Sequence, residues 1–451
     1  EAHKFRTHTN VDFTELQEIC KMPRVNQGNI PGFKKKVMLI SATPMNNSPA
    51  DLYNEILLFQ DPRCCTIDGV PNLTSFFSPL IDEFKKLRRD PQYDLKKFKE
   101  LAEKVRDRVI KPITVRRTRT DIEAIPRYSK DIQGFPKVAP PVQKTYEMND
   151  RIADMFEKAM LTLVRELSYA RYQAIAYLLA EKSEGLYDNA ELISRSLASI
   201  RKNGLVKRLE SSFYAFQTSI NRFRDANQYM INMFENDRVF IAPDLDINHL
   251  YDLGLDDDEI EERLNLKAED NPKNAVFKAE DFDPEFINML RADQAVLEAM
   301  CAEWATVTEA DDSKFAKFND LLKHELFKKD RNPGQKLVIF SESVDTVEYL
   351  QRRIGREDVL VISAGNRNQL FKVITENFDA NCKRANQKND YNIIITTDVL
   401  AEGVNLHRSN IIINYDTPWN STKLMQRIGR VNRIGSTCKN IYNYVFYPSR
   451  Q

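Results

Sequence analysis

Glycine is scarce in this chain: there are 13 in 451 residues, and none opens a GxxxxGKS/T stretch. The glycine-rich loop whose backbone N–H groups cradle a nucleotide's phosphates is therefore missing from these residues. Cysteine is scarcer. Its six copies (Cys20, Cys64, Cys65, Cys301, Cys382 and Cys438) have neither CxxC spacing nor histidine partners, which argues against a zinc or disulfide framework and for reduced thiols. No run approaches the ~18 apolar residues of a membrane helix. Glu1 is followed by neither a charged n-region nor an apolar h-region, so no secretory signal is legible, and the chain is expected to be a fragment. With 42% hydrophobic and 29% charged residues the composition is that of a soluble globular protein. At ~150 residues per domain its length allows about three.

The formal net charge of zero conceals a strong segregation. Residues 1–240 carry 39 basic and 31 acidic side chains, residues 241–312 carry 5 and 21, and residues 313–451 carry 22 and 14. A middle segment that negative repels phosphates, so a nucleic-acid surface would have to come from the flanks. The middle segment reads as a solvated acidic face. Within it, Asp244 to Asn248 begins like a calcium loop, but His249 stands where the sharp-turn glycine belongs and no spaced glutamate follows.

Five short β-branched runs, Lys36 to Ser41, Leu337 to Ser341, Val359 to Ser363, Asn392 to Thr397 and Asn410 to Asp416, suit strands buried on both faces of a parallel sheet. In such α/β folds function gathers at the carboxyl ends of the strands. The roughly 295 residues between the first run and the rest read mostly as helix. Ile152, Met155, Phe156, Ala159 and Leu163 keep helical spacing, and a second core stripe runs through Leu205, Leu209, Phe213, Phe216, Ile220 and Phe223. Asp283-Pro284 predicts an N-cap followed by proline at the first helical position, and Asp256 to Glu259 is a capping-box pattern. Lys137 to Val142 reads as a proline-rich linker, and Asp379 to Asp390 as a polar, mobile loop.

The chemistry concentrates near the carboxyl terminus. LMQRIGRVNRIGS, Leu424 to Ser436, predicts one helix with Leu424, Ile428 and Val431 on its apolar side and Gln426, Arg430 and Arg433 opposite. Two arginine forks on one face suit a polyphosphate, although a basic amphipathic surface helix has the same pattern. Gly429 costs such a helix about 1 kcal/mol against alanine, which points to something approaching its backbone closely. Upstream, TTDVLAEGVNL (Thr396 to Leu406) follows a buried strand and offers hydroxyl and backbone N–H groups to an anion.

Together these motifs resemble the second RecA-like lobe of superfamily 2 helicases, and within them the Swi/Snf-type ATPases. QRIGRVNRIG at Gln426 to Gly435 is similar to the family's closing signature, GVNL at Gly403 to Leu406 matches its preceding one, and Glu402 resembles the bacterial RapA-like branch. Pro418 to Asn420 and Phe340 to Ser343 fit the same layout. LISATPMNNSPADLYN (Leu39 to Asn54) looks like the third motif, although Asn46 and Asn47 match loosely. Val115 to Ile122 and Phe135 to Val138 resemble the family's linker. EAH at the start looks like a DEAH box lacking its first letter.

The resemblance implies an α/β fold with one RecA-like parallel-sheet lobe, large helical insertions and a remnant of a first lobe. Its expected divisions are 1–60 (lobe 1 remnant), 61–110 (helical insertion), 111–140 (linker), 141–312 (helical insertion) and 313–451 (lobe 2). It also implies an ATP hydrolase that moves on double-stranded DNA with ATP and Mg²⁺. Glu1 would polarise the attacking water, and His3 would couple that site to Ser41 and Thr43. Arg430 and Arg433 would be arginine fingers, with Gly403, Asn405 and Gln426 lining the nucleotide cleft. Ser341, Thr396 and Thr397 would touch DNA. The Asp that orders Mg²⁺ would precede Glu1, so no metal ligand is expected here. A cytoplasmic, nucleoid-associated place follows by the same route, and the isolated chain is expected to be inactive. A strand-separating helicase and a non-catalytic scaffold binding a protein such as RNA polymerase remain open.

Overall fold

Unbroken runs of isoleucine, leucine and valine make stable strands only where both faces of a sheet are covered. The computed structural model describes residues 11–22, 35–40, 48–89, 95–130, 132, 134–183, 190–241, 275–401 and 403–449. It divides into two compact units, 1–124 and 125–451. Among the described residues the strands are β1 Lys137–Val138, β2 Val142–Tyr146, β3 Val239–Ile241, β4 Ala275–Phe277, β5 Leu337–Phe340, β6 Val359–Ile362, β7 Ile393–Thr396, β8 Ile411–Asn414 and β9 Asn440–Pro448. Four of the five expected runs are thus strands, β5 to β8.

These four join β9 in a wholly parallel sheet of order β9-β8-β5-β7-β6, with β1 and β2 both added along β9. Leu337, Ile339, Ile393, Ile395, Ile411 and Ile413 face one layer, with Phe318 and Leu350 from the Ser313–His324 and Val344–Ile354 helices. Val338, Phe340, Ile394 and Ile412 face the other, against Phe378, Ile428 and Val431 from the Arg367–Phe378 and Ser421–Val431 helices. Each fully buried side chain contributes about 1.5–3 kcal/mol, against a span of ~1 kcal/mol for strand propensity. Burial therefore sets the register: a one-residue slip would exchange the two layers.

Several expectations are corrected. The run at 36–41 is not a strand over its described part: Lys35–Ile40 is irregular, with Met38 85% and Ile40 72% exposed. A strand of that kind needs paired neighbours, and no described residue pairs with it. The proline-rich 137–142 segment is an edge of the sheet rather than a linker, since Lys137 lies opposite Asn440 and Val142 opposite Tyr444. Pro140 and Pro141 fall between the two short strands, at an edge where a missing N–H is tolerated. Strand β9 escaped the sequence reading because Asn440 and Asn443 interrupt its apolar pattern. Asn443 is buried there by accepting a hydrogen bond from Asn414 Nδ2 at 2.6 Å. The loop 379–390 is tied down, with Arg408 Nη1 donating to the carbonyls of Glu376 and Lys388 at 2.9 and 2.8 Å. The patterns at 244–249 and 256–259 lie outside the described residues.

The helical block forms as its apolar spacing predicts, with one interruption. The stripe from Leu205 to Phe223 is divided between the helices Ala190–Ser211 and Phe213–Glu235, because Ser212 caps the second by accepting from the Ala215 N–H. All six stripe residues still pack into one core around Trp304, and Asp283 and Pro284 open the Pro284–Trp304 helix as predicted. In the first unit, Ser48 and Asp51 form a capping box on Pro49–Leu57. Its core joins Leu52 and Ile56 to Phe77, Leu101, Val105 and Val109.

The block meets the sheet through a buried lysine. Lys314 Nζ donates to the carbonyls of Glu210 and Ser211, both at 2.8 Å, and lies 4.5 Å from the Tyr415 ring centre. It closes the end of the Ala190–Ser211 helix, where carbonyls lack partners. Burial pulls its pKa down to about 8, against the opposing pull of Asp416, Asp312 and Glu210. A lysine whose folded pKa lies below its unfolded one makes the unfolded state bind more protons between the two values, so its contribution improves as pH rises from about 8 toward 10. Measured by urea unfolding, the wild type should gain on Lys314→Met over that window by at most about 1.4 kcal/mol per pH unit. No relative change between the two proteins would refute the burial argument.

Candidate functional site

The carboxyl ends of β5, β7 and β8 are held together by a charge that sequence reading placed in no role. Arg427 lies on the Ser421–Val431 helix, and its side chain is completely buried. Its Nε donates to Asp398 Oδ1 at 2.7 Å, its Nη1 to Asn414 Oδ1 at 2.8 Å, and its guanidinium lies 5.2 Å from the centre of the Phe340 ring. Lys423, one turn earlier, reaches Asp398 Oδ2 at 2.9 Å and Glu342 Oε1 at 3.4 Å. Burial pushes the Asp398 carboxyl up, but Arg427 and Lys423 outweigh it and hold the pKa at about 2.

Beside this cluster, Asp416 accepts from Ser341 Oγ at 2.6 Å and from the Glu342 N–H at 2.7 Å. Ser211 Oγ, from the helical block, donates to the same carboxylate, and Arg208 Nη1 donates to the Glu342 carbonyl at 3.1 Å. The block is thereby fixed to the strand ends. Three residues expected to touch DNA lie in this layer and are buried: Ser341 and Thr396 at 0% exposure and Thr397 at 7%. Ser341 is bound to Asp416, and Thr396 Oγ1 donates to the Thr397 carbonyl at 3.1 Å. Ser341 and Thr396 thus support the strand ends, and their hydroxyls are not presented at the surface.

The second cluster is at the far end of the same helix, which Asn420 opens by accepting from the Thr422 N–H. The helix closes at Val431, so it starts earlier and stops sooner than 424–436, and Arg433 stands two residues beyond it. The guanidinium bases fold back nonetheless: Arg430 Nε donates to the Gln426 carbonyl at 3.4 Å and Arg433 Nε to the Gly429 carbonyl at 3.2 Å. The Leu406 N–H donates to the Arg430 carbonyl at 2.9 Å. That bond brings the Gly403–Leu406 loop against the arginine turn. Asn405 Nδ2 is held by Asp379 Oδ2 at 3.1 Å, and Gly403 is exposed with φ at +74°, a conformation that favours glycine. A Cβ on Gly429 would meet nothing within 4 Å, so the space over the helix there is open.

Five sequence-predicted residues, Gly403, Asn405, Gln426, Arg430 and Arg433, are therefore gathered on one loop and one helix end. Glu1, His3, Ser41, Thr43 and also Glu402 lie outside the described residues. The sequence reading missed Arg427, Lys423, Asp398, Asn414 and Asp416. For Arg427 a signal existed: on the helical wheel it lies about 40° from Val431, bordering the arc marked out by Leu424, Ile428 and Val431, where a charge must be paired when buried. It also missed His407, which is fully buried with Nδ1 3.7 Å from Oδ1 of Asp379, the carboxylate that also holds Asn405. Burial pushes that imidazole's pKa down, with Asp379 opposing, so it is neutral at pH 7.

Residues 313–435, which span both clusters, match the model of the helicase conserved C-terminal domain. The sheet lobe carries a helicase C-terminal domain. A segment of 43 residues is 51% identical to an uncharacterised ATP-dependent helicase, YqhH, of Bacillus subtilis, covering 10% of this chain and 8% of that protein. Over 154 residues the chain is 29% identical to the ATP-dependent RNA helicase eIF4A of Lodderomyces elongisporus, covering 33% and 34%. The chain thus spans about a third or less of the length of these relatives. Among solved structures, the C-terminal part of the Fun30 ATPase domain aligns with 70% of this chain and 86% of that one, at 16% identity and a TM-score of 0.31. The parallel sheet with helices on both faces is that of a RecA-like lobe.

Within this helicase domain, Arg427→Ala should cost about 3 kcal/mol, the low end for a buried ion pair, because the half-buried Asp398 loses its buried cation but keeps Lys423. Asp398→Asn in the same background should recover part of the loss. Urea unfolding of both variants measures this, and an undiminished midpoint in Arg427→Ala would contradict the role. The sign with pH is fixed by the depressed Asp398 pKa. Its stabilisation is complete above the ordinary carboxylate range and is lost as pH falls toward about 2.

Proposed function

We propose that the chain is the C-terminal portion of a Swi/Snf-like, ATP-dependent DNA translocase of helicase superfamily 2. The observation that carries this reading is the Leu406–Arg430 backbone bond, which brings the Gly403 and Asn405 loop to the turn bearing Arg430 and Arg433. Two guanidinium groups and the backbone beside a positive-φ glycine are donors suited to a phosphate. In this reading Arg430 and Arg433 neutralise charge developing on the transferred phosphoryl group, Asn405 and Gln426 orient the nucleotide, and the open space over Gly429 admits the other lobe.

ATP would supply the phosphoryl group transferred to water. The residues of this chain bind and orient it. Among the described residues no group of three or more His, Cys, Asp or Glu is placed to hold a metal, so Mg²⁺ is not assigned to ligands here. Glu1, His3, Ser41 and Thr43 keep their proposed parts in water activation and coupling. Duplex DNA as the track is supported by the net basic flanks, 39 against 31 and 22 against 14. The division into 1–60, 61–110, 111–140, 141–312 and 313–451 belongs to the same proposal, as does a cytoplasmic, nucleoid-associated setting.

Because a phosphate loop is missing from these 451 residues, the chain alone should hydrolyse no ATP above background. In a protein that joins this chain to a phosphate-loop lobe, Arg430→Ala should lower DNA-stimulated kcat by about 10³–10⁵-fold, the range for an arginine finger. Steady-state ATPase assays decide both points. Turnover by the chain alone that Arg430→Ala abolishes, or an active joined protein indifferent to Arg430→Ala, would overturn the reading.

A further inference from the structure

The first unit carries a basic surface that the helicase domain does not explain. Between Lys85 and Lys111 there are 11 basic and 5 acidic residues. Two helices, Leu73–Arg89 and Leu95–Val105, pack together, and an edge-to-face contact between Phe84 and Phe98 at 5.2 Å fixes their adjoining ends. Lys85 and Lys86 follow the first of these rings, and Lys97 and Lys99 flank the second; all four are exposed. The second helix buries Leu101 and Val105, and Val109 continues that face through the wider turn Arg106–Ile110. Lys97, Lys104 and Arg108 are exposed along one flank of that buried face.

The nearby carboxylates do not neutralise this surface. Glu103 and Asp107 pair with Arg106, and Asp107 also with Lys111 at 2.8 Å. Lys97, Lys99, Lys104 and Arg108 make no ion pair with any described residue. Lys97 and Lys104 stand seven residues apart, two helical turns or about 10 Å along one side. The helix beneath them is anchored by its apolar face, so the charges keep fixed spacing. A rigid row of unpaired cations is matched by a polyanion of regular spacing, and neutralising it releases bound counterions. A flexible acidic peptide needs no such row.

We propose that this hairpin is an accessory contact for the phosphate backbone of a nucleic-acid duplex, carried by residues of the first unit. The inference rests on the reading that the protein works on duplex nucleic acid.

The test uses the full 451-residue chain and a 30-base-pair duplex, followed by fluorescence anisotropy across a salt series. The triple variant Lys97→Glu, Lys99→Glu, Lys104→Glu should bind at least about tenfold more weakly at 100 mM salt, and its log–log salt slope should be shallower by about 0.9 for each lysine that contacts a phosphate. The corresponding glutamine triple should lose less. Thermal unfolding and circular dichroism establish that each variant is folded. A charge-matched reversal at Lys323, Lys328 and Lys329, exposed near the amino end of the sheet, should leave the slope unchanged.

Equal losses in the two triple reversals, or an unchanged slope in the first, would overturn the proposal. So would variant-sensitive binding of polyglutamate without variant-sensitive binding of duplex, which would mark the hairpin as a surface for acidic proteins. If the wild type fails to bind duplex at 50 mM salt, the nucleic-acid reading itself fails and takes this inference with it.

Discussion

One buried guanidinium organises the lobe. Arg427 joins the end of β7 through Asp398 to the end of β8 through Asn414 and lies over Phe340 at the end of β5, three strands that share no covalent continuity there. A charge taken out of water is unfavourable by several kcal/mol unless its partners are in place. The arrangement therefore demands that strands and helix assemble together. Lys423 and Glu342 extend it to the rim. The helix so fixed is the one that presents Arg430, and it ends two residues before Arg433. The orientation of the proposed catalytic arginines is thus inherited from an arginine that no solvent reaches.

The helical block is fixed by the same strand ends. Asp416 gathers Ser341, the Glu342 N–H and Ser211, while Lys314 closes the last carbonyls of the Ala190–Ser211 helix. A displacement of β5 against β8 would have to break bonds inside this layer. Chains of such bonds in a low-dielectric interior favour discrete arrangements over gradual deformation. The block therefore moves with the sheet of its own unit.

Much of this was legible in advance where burial alone decides conformation. Strands β5 to β8, the two stripes of the helical block and the Asp283-Pro284 start were all visible as apolar periodicity or capping chemistry. The gathering of Gly403, Asn405, Gln426, Arg430 and Arg433 followed from motif order. The exceptions have physical causes. The run at 36–41 has the composition of a strand but no paired neighbour among the described residues, whereas β9 has neighbours and a composition broken by asparagines. Ser341 and Thr396 have exposed-residue chemistry and yet lie in the core, because Asp416 and the backbone satisfy their hydroxyls.

The sequence by itself determined what depends on local periodicity: which segments are apolar on both faces, where helices start, and which loop and helix carry the residues of the proposed phosphate site. Tertiary structure alone decided which charges face inward. Arg427, Arg430 and Arg433 are chemically identical and within seven positions of one another, and Arg427 is the one whose side chain is wholly buried, with a carboxylate, a carboxamide and an aromatic face beneath it. Those partners stand at the ends of three strands, 13 to 87 residues away in the chain. Their meeting depends on sheet order, which local periodicity does not encode.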